Sequence, residues 1–296
     1  MTKDQIFHFF SRLLGLAPRP PSRTLRPKLP DSDLAKFREW FDAQTKPAIA
    51  LIPDAGRPVA ATGSRLGGPA WLAKGEPWPT DTKGEPMEFL AQLDMADCRL
   101  LDGYPCTGIV QFFIARDDTY GLHHGEFKDG GLFRSEYAVR HVHPHESGQL
   151  VPQPELAVTA EDRYGDFTVF EDRDTRRNGI ALRPERFTDR MAVNIHEAEE
   201  RLLPWYRDYD VAALWDHVEA EENRRRESHH TGGYPAYTQV DIRGYDAYRG
   251  YDQVLLRLTS DGHLMWGDVG EAVFLMRPDD LADGDFSRVL YSWDCT

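Results

Sequence analysis

One stretch of the chain, VLLRLTSDGHLMWGDVGEAVFLM at residues 254–276, constrains the fold more than any other part of the sequence. It contains two short apolar runs, at 254–258 and 272–276, and a Ser-Asp-Gly turn signal at 260–262 lies between them. Apolar runs of this length that are bounded by Gly and Asp are more typical of β-strands than of helices. We therefore predict two neighbouring strands joined by a turn.

The same pattern occurs earlier in the chain. Gly67-Gly68 matches Gly232-Gly233 at an offset of 165 residues (232 − 67), and FLAQLD at 89–94 matches VLLRLT at the same offset. GIVQFFIARDD at 108–118 matches GEAVFLMRPDD at an offset of 162 (270 − 108), which suggests a loop deletion. The alternative interpretation is that any two strand-rich segments look alike.

We expect an internal duplication, because a shared offset extends over more than one motif. The predicted fold class is α+β, with mostly antiparallel sheets from two related half-domains and with flanking helices. The two repeat halves are placed at about 48–118 and 229–294, within a domain that covers residues 31–296. Residues 1–30 are assigned to an N-terminal helix at 4–14 and a Pro-rich linker at 17–30.

The remaining elements follow from local periodicity and from turn residues. A helix at 32–45 has an apolar face, Ser32 as its cap and Pro47 as its stop signal. A second helical region at 195–226 is interrupted at Pro204. The other predicted elements are a short helix near 155–160, strands at 48–52, 108–115 and 137–145, and a final loop and helix at 277–287, capped by Asp279 or Asp280, before a strand at 288–293.

Composition limits the possible classes of function. The 296 residues are 41% hydrophobic and 28% charged, and no apolar run approaches the roughly 20 residues that span a bilayer. Without a secretory pattern at the N-terminus, we expect a cytoplasmic protein and no membrane partner. The three cysteines, Cys98, Cys106 and Cys295, have no CxxC spacing, which argues against a disulfide framework or a structural zinc site.

The formal net charge is −14, and this argues against a nucleic-acid partner, because DNA and RNA are themselves densely negative. An acidic surface is better matched to a basic protein partner. The alternative is that the acidity only promotes solubility.

The order of several short motifs resembles the YwqG-like family, a bacterial domain of unknown function. The first half contributes RLGGP at 65–69, Trp78-Pro79 and FLAQLD. The second half contributes Gly233-Tyr234-Pro235, and the remaining matches are Gln239, Leu255-Leu256, Ser260-Asp261, Trp266-Gly267-Asp268, Gly270 and Asp285-Phe286-Ser287. The resemblance covers roughly residues 31–296 and implies an α+β domain without a known activity. Arg257 departs from it, because the family pattern usually has Gln there.

Histidine provides the most tempting metal signal. His141, His143 and His145 alternate, so on a strand they would share one face and could converge on a metal. Pro144 argues against a regular strand at this point. We therefore predict no metal, and we name no cofactor and no catalytic residue, since the sequence has no GxSxG elbow or phosphate-binding loop.

The Trp266-Gly267-Asp268 triplet is the most distinctive motif. An Asp in a strand connection usually accepts backbone N–H bonds and fixes the turn. We therefore expect Asp268 to stabilise the fold more than Asp261 does. The alternative is a polar site in a cleft between the two halves, whose residues would be Arg65, His230, Tyr234, Arg257, Trp266 and Asp268.

From these observations we expect a non-catalytic protein-binding module of the inhibitor or immunity type, directed at a basic partner. The alternative is a small-molecule-binding or hydrolytic enzyme with its site in the cleft between the repeats. A deep pocket with convergent polar groups favours the enzyme.

Overall fold

The computed structural model describes residues 26–128, 132–144, 147–155, 167–192, 195–206, 208–210, 212–214, 216–217 and 228–296. Its helices are α1 (Asp31–Asp42), α2 (Arg173–Asn178), α3 (His196–Tyr206) and α4 (Pro278–Ala282). The first strands are β1 (Thr45–Pro53), β2 (Arg65–Leu66), β3 (Ala70–Ala73), β4 (Glu88–Asp94), β5 (Ile109–Ile114), β6 (Leu122–Lys128) and β7 (Leu132–Ser135). The others are β8 (Tyr137–Val142), β9 (Gly148–Val151), β10 (Ile180–Arg190), β11 (His230–Gly232), β12 (Gln253–Thr259), β13 (Glu271–Met276) and β14 (Leu290–Asp294).

A ten-stranded antiparallel sheet dominates this part of the chain, in the order β14-β13-β12-β11-β1-β10-β2-β4-β5-β8. The strands β3 and β9 form a separate pair, and so do β6 and β7. β1 is the central element, because it pairs with β10 over its full length and with β11 on its other edge. The structure therefore confirms an α+β protein built mostly on antiparallel sheet.

The two ends of the large sheet pack against each other over one apolar core. The ring centroids of Phe112 in β5 and Phe274 in β13 are 4.9 Å apart, and those of Tyr137 and Tyr291 are 5.5 Å apart. The hydroxyl of Tyr137 also donates to the carbonyl oxygen of Val289. A second apolar cluster, which includes Phe37 and Phe41, lies beneath α1.

The strands on either side of the β1–β10 pair follow the same order, β2-β4-β5-β8 on one side and β11-β12-β13-β14 on the other. A register shift falls between Phe89 and Ala91 in β4 and between Val254 and Leu256 in β12, again at an offset of 165 (254 − 89). Strand order alone does not show that the two halves have a common origin.

The capping predictions were wrong. α1 begins at Asp31 with Pro30 as its N-cap, and no side chain, including that of Ser32, provides a cap hydrogen bond. α4 has Arg277 as its N-cap and Pro278 at the first position, so neither Asp279 nor Asp280 acts as the cap. Proline fits the first turn because the N–H that it lacks there has no helical partner.

Other boundaries differ for local reasons. α3 continues through Pro204 to Tyr206, so the predicted interruption is absent. β8 ends at Val142, before Pro144, which cannot donate to a ladder. The predicted N-terminal helix at 4–14, most of the helix near 155–160, and residues 218–226 lie outside the described residues. Within the described ranges, no helix combines the length and the apolar character needed to cross a membrane.

Candidate functional site

Arg65 is a buried structural residue rather than part of an open cleft. Its side chain is almost fully buried, and its guanidinium donates to the carbonyl oxygens of Ala60, Ala61 and Pro69 at 2.5–3.0 Å. The guanidinium also stacks over the Phe89 ring, 5.6 Å from the centroid. Burial lowers the pKa of Arg65 to about 10. Arg65 therefore fixes the loop that leads into β2.

Arg257 is buried in the other half of the sheet and is neutralised there. Its Nε donates to Glu271 Oε2 at 2.5 Å, and both side chains are nearly inaccessible to solvent. Arg257 and His230 are register partners in β12 and β11, so these two predicted residues do lie side by side. Because the two opposite charges are paired inside the protein, this ion pair has a structural role.

His230 and Tyr234 belong to a second buried network, built around Asp189. The Asp189 carboxylate accepts the backbone N–H of Tyr234 at 2.8 Å and lies 4.0 Å from His230 Nε2. Gly233 has a φ of 71°, and a Cβ there would approach Asp189 Oδ2 to 2.6 Å. Only glycine allows the backbone to approach this carboxylate so closely.

The Trp266-Gly267-Asp268 motif corrects the turn prediction. Trp266 is fully buried, edge-on to Tyr120, but the Asp268 side chain is exposed, and it is the Asp268 carbonyl oxygen that binds the C-terminal Thr296. The residue whose carboxylate fixes the turn is Asp261, which accepts the N–H groups of His263 and Leu264 at 2.7 and 3.0 Å. The prediction that Asp268 has this role was wrong.

The six residues predicted to line a cleft therefore do not converge on one opening. His230 lies beside Tyr234 and Arg257 and all three are buried, Arg65 and Trp266 are buried in other settings, and Asp268 is exposed on a turn. Among the described residues, no group of three or more His, Cys, Asp or Glu side chains is arranged to hold a metal. His141 instead contacts the carbonyl oxygen of Thr107 at 2.9 Å and lies against His143; His145 is outside the described residues.

A groove runs between β10 and the 3-10 segment that follows β4. It consists of two adjoining cavities of about 320 and 230 Å³, which share Ile49, Leu100 and Arg186 in their walls. Leu100 is an exposed aliphatic residue at the lip, with 45% of its surface accessible. We call this feature the β10 groove. The rest of its lining is Pro47, Ala48, Ala96, Asp97, Arg99, Leu101, Pro184, Glu185, Phe187 and Thr188.

One edge of β10 is unpaired along this groove. On its other edge β1 pairs with every residue from Leu182 to Arg190, whereas β2 pairs only with Ile180 and Ala181. One further bond, from the Leu182 N–H to the Ser64 carbonyl oxygen at 2.9 Å, closes that short ladder. Beyond Leu182, β10 continues to Arg190. In the described part of the chain, no strand pairs with it there on the edge opposite β1.

A polar cluster lies on the other side of β1. Arg243 is buried and pairs with Asp241, Glu197 and Asp252 at 2.5–3.1 Å. Nearby, the Lys46 Nζ sits 4.4 Å from the centroid of the Tyr234 ring. Burial, the largest effect, lowers the pKa of Lys46, and it raises that of Tyr234 to about 12.

Comparison with protein families accounts for most of this architecture. A family model described as Domain of unknown function (DUF1963) matches residues 64–295, more than three quarters of the chain. The chain belongs to the DUF1963 family. No curated protein matches the sequence. The DUF1963 match includes both walls of the β10 groove but begins after β1, the strand that forms its floor at Ile49.

Sequence reasoning missed β10, which carries the open edge in this DUF1963 protein. Its segment, IALRPERFTDR, has only three consecutive apolar residues and contains Pro184, so the sequence predicts no strand there. The available signal was the proline itself, because a proline inside a strand is confined to edges or bulges.

Proposed function

We propose that this DUF1963 protein is a non-catalytic protein-binding module of the inhibitor or immunity type. The observation that carries the proposal is the unpaired edge of β10 beside a groove. An unpaired strand edge offers a row of backbone donors and acceptors to another chain. Recognition by addition of a strand uses this arrangement.

The composition of the groove supports binding rather than catalysis. Its lining is mainly apolar, and its four charged side chains, Asp97, Arg99, Glu185 and Arg186, all lie in the wall of the smaller cavity as two acids and two bases. A catalytic site needs an acid, base or nucleophile in contact with a second polar group at hydrogen-bond distance. In the groove, Asp97 contacts the Ser64 hydroxyl at 2.7 Å and Glu185 contacts Arg183 at 3.1 Å, and these two pairs share no partner.

A basic partner is supported by the net charge of −14 and by a surface patch around α3. Four exposed or half-exposed carboxylates, which outnumber the two arginines paired with them (Arg243 and Arg249), define this acidic patch: Glu197, Glu200, Asp246 and Asp252. Opposite charges on two proteins accelerate their encounter and reject partners of the wrong sign. The acidic patch would attract the body of a basic protein.

Affinity capture from the native host with the full chain tests the proposal, followed by reconstitution with the purified candidate. We expect a direct one-to-one complex whose association slows as salt rises. The variant Glu200→Lys/Asp246→Lys should weaken it, whereas Lys83→Glu, at an exposed site in another loop, should not. Turnover of a small molecule by the chain, with no direct partner, would contradict the proposal.

A common origin of the two halves and membership of a YwqG-like subgroup belong to the same proposal. They are supported by the matched strand order, by the two register shifts at one offset, and by the glycine pairs at 67–68 and 232–233, all of which have positive φ. Gln92 and Arg257 occupy equivalent places, opposite Arg65 and His230. An experimental structure in which 67–118 and 232–280 do not superimpose would contradict the duplication.

A small-molecule-binding or hydrolytic enzyme is the second candidate, and Lys46 is the observation that favours it. A lysine whose pKa is lowered by burial is a better base and nucleophile than an exposed one. Labelling of lysines with an acylating reagent at neutral pH tests this. Preferential modification of Lys46 over the exposed Lys83 would support the enzyme, and equal labelling would count against it.

A further inference from the structure

We infer that the β10 groove binds an extended acidic segment of a partner protein, which adds to the open edge of β10 as an extra strand. The inference rests on the proposed function and specifies the chemistry of the contact. It follows from three properties of the groove: the direction of the β10 backbone groups, the charge on its walls and the exposed aliphatic lip.

The direction of the backbone groups follows from the ladders on either side of β1. Leu51 donates to the His229 carbonyl oxygen and Gly233 donates to that of Pro47, so odd-numbered residues of β1 face β11. Even-numbered residues of β1 therefore face β10, where their register partners are odd-numbered. Consequently the N–H and C=O groups of Arg186 and Thr188 point towards the open edge.

Pro184 sets the register of an incoming strand. It also faces the open edge but offers only its carbonyl oxygen, because proline has no N–H. From Pro184 to Thr188 the edge extends about 14 Å at about 3.4 Å per residue. A segment of four or five residues can therefore pair with it, through two donors and three acceptors of β10.

The groove is lined by two arginines, Arg99 and Arg186, and two carboxylates, Asp97 and Glu185, so it has no net formal charge in a chain whose net charge is −14. Arg99 and Arg186 are exposed, and neither forms a hydrogen bond or ion pair within the described residues. The two carboxylates of the groove are already engaged: Glu185 pairs with Arg183 at 3.1 Å, and Asp97 accepts the Ser64 hydroxyl at 2.7 Å. Arg99 also interacts electrostatically with Asp97, so Arg186 is the cation of the groove that is left to select a carboxylate side chain.

The exposed side chain of Leu100 adds an apolar requirement. It lies beside Ile49 and Arg186 in the wall of both cavities. Side chains two residues apart on a strand share a face. We therefore expect the bound segment to place a Glu or Asp and an aliphatic residue at positions i and i+2, both facing the groove.

A second copy of the chain fits the edge poorly. Symmetrical antiparallel pairing of two β10 edges over 184–188 would place Arg186 opposite its own copy. Like charges directly opposite each other destabilise a strand pair. The charge thus favours an acidic segment over self-association.

Panning a displayed library of random heptapeptides on the immobilised full chain tests the inference without knowledge of the partner. Selected sequences are then synthesised and titrated by fluorescence anisotropy. We expect enrichment of alternating sequences with Glu or Asp, and N-methylation of alternate peptide groups should abolish binding because it removes ladder donors. Selection of basic sequences, or of none, would overturn the inference.

Variants of the chain provide the second arm of the test. Thr188→Pro removes a donor from the open edge, and Arg99→Glu/Arg186→Glu replaces the two cations of the walls with anions; each should weaken the selected peptide about tenfold or more. Lys83→Glu, at an exposed cation in a loop outside the groove, is the control and should leave affinity unchanged. If Thr188→Pro fails to fold, the charge variant and the N-methylated peptides still decide.

Two results separate this inference from the proposed function. If a partner binds wild type, Thr188→Pro and the charge variant equally, the inference that the β10 groove is its binding site is overturned. The proposal that the protein is a binding module would still stand. A concentration-dependent dimer of the wild type that Thr188→Pro dissociates would identify a second copy as the occupant and also overturn the inference. Peptide binding that is weakened by the groove variants and by N-methylation supports the inference, whichever protein is captured.

Discussion

Asp261 accepts a hydrogen bond from His229 Nε2 at 3.0 Å, and this contact ties the turn after β12 to the residue that precedes β11. The Nδ1 atom of the same ring accepts the Thr259 N–H at 3.1 Å, which places the ring proton on Nε2. Asp261 also accepts the N–H groups of His263 and Leu264. One carboxylate thus organises the connection from β12 to β13.

Replacing Asp261 with Asn should lower stability, because the charged acceptor of three hydrogen bonds is lost. Hydrogen bonds to charged groups contribute about 1.5–3 kcal/mol, so we expect a decrease in Tm of several degrees. Asp268→Asn is the matched control, and its exposed carboxylate should contribute less than about 0.5 kcal/mol. Thermal melting of both variants measures the difference; equal losses would contradict this assignment.

The same carboxylate should make stability depend on pH in acid. Burial by itself would raise the pKa of Asp261, but the hydrogen bond from His229 and the two backbone N–H bonds lower it to about 2. A folded-state pKa below the unfolded value of 3.8 gives a stabilisation that is complete above about pH 4 and is lost as the pH falls towards 2. Urea unfolding of wild type and Asp261→Asn at a series of pH values should show the two stabilities converging in that window.

The buried Arg257–Glu271 pair should behave as a unit. Glu271→Gln leaves a buried cation without its counter-charge and should destabilise the protein by about 3–5 kcal/mol. Arg257→Met/Glu271→Leu removes both charges and should recover most of that loss. A double-mutant cycle by urea denaturation measures the coupling, and strictly additive effects would argue against a buried pair.

Gly233→Ala should be costly for two separable reasons. The positive φ of 71° costs about 1 kcal/mol for a residue with a Cβ, and that Cβ would also collide with the Asp189 carboxylate. Gly75→Ala is the control, since Gly75 has a φ of 81° and open space around it. Chemical denaturation should show a larger loss at 233; similar losses at both sites would mean that the collision is relieved.

The strands that could be predicted from sequence are those buried on both faces. β4, β5, β12 and β13 are continuous apolar runs ended by turn residues, and their predicted bounds agree with the structure to within one or two residues. β10 has exposed polar side chains on both faces, at Arg183 and Glu185 on one and at Arg186 and Thr188 on the other, and periodicity cannot distinguish such a strand from a loop.

The candidate site was predicted less well, because sequence does not show whether a charged residue is buried. The alternative interpretation of a polar cleft site includes Arg65 and Arg257, yet each has partners inside the protein. Arg99 and Arg186 belong to no recognisable sequence motif. Their position beside an open edge depends on pairings between distant strands, which no local pattern encodes.

The central position of β1 has a consequence for the order in which the chain folds. Thr45 pairs with Arg190 across about 145 residues (190 − 45), and Ala48 pairs with Gly232 across about 184 (232 − 48). Contacts this distant in sequence form slowly, since a large loop must close before they contribute any free energy. β1 is made early on the ribosome, yet its second edge cannot be paired until β11 has been synthesised. Refolding should therefore be slow, with local hairpins such as β12–β13 protected from hydrogen exchange before the β1 amides.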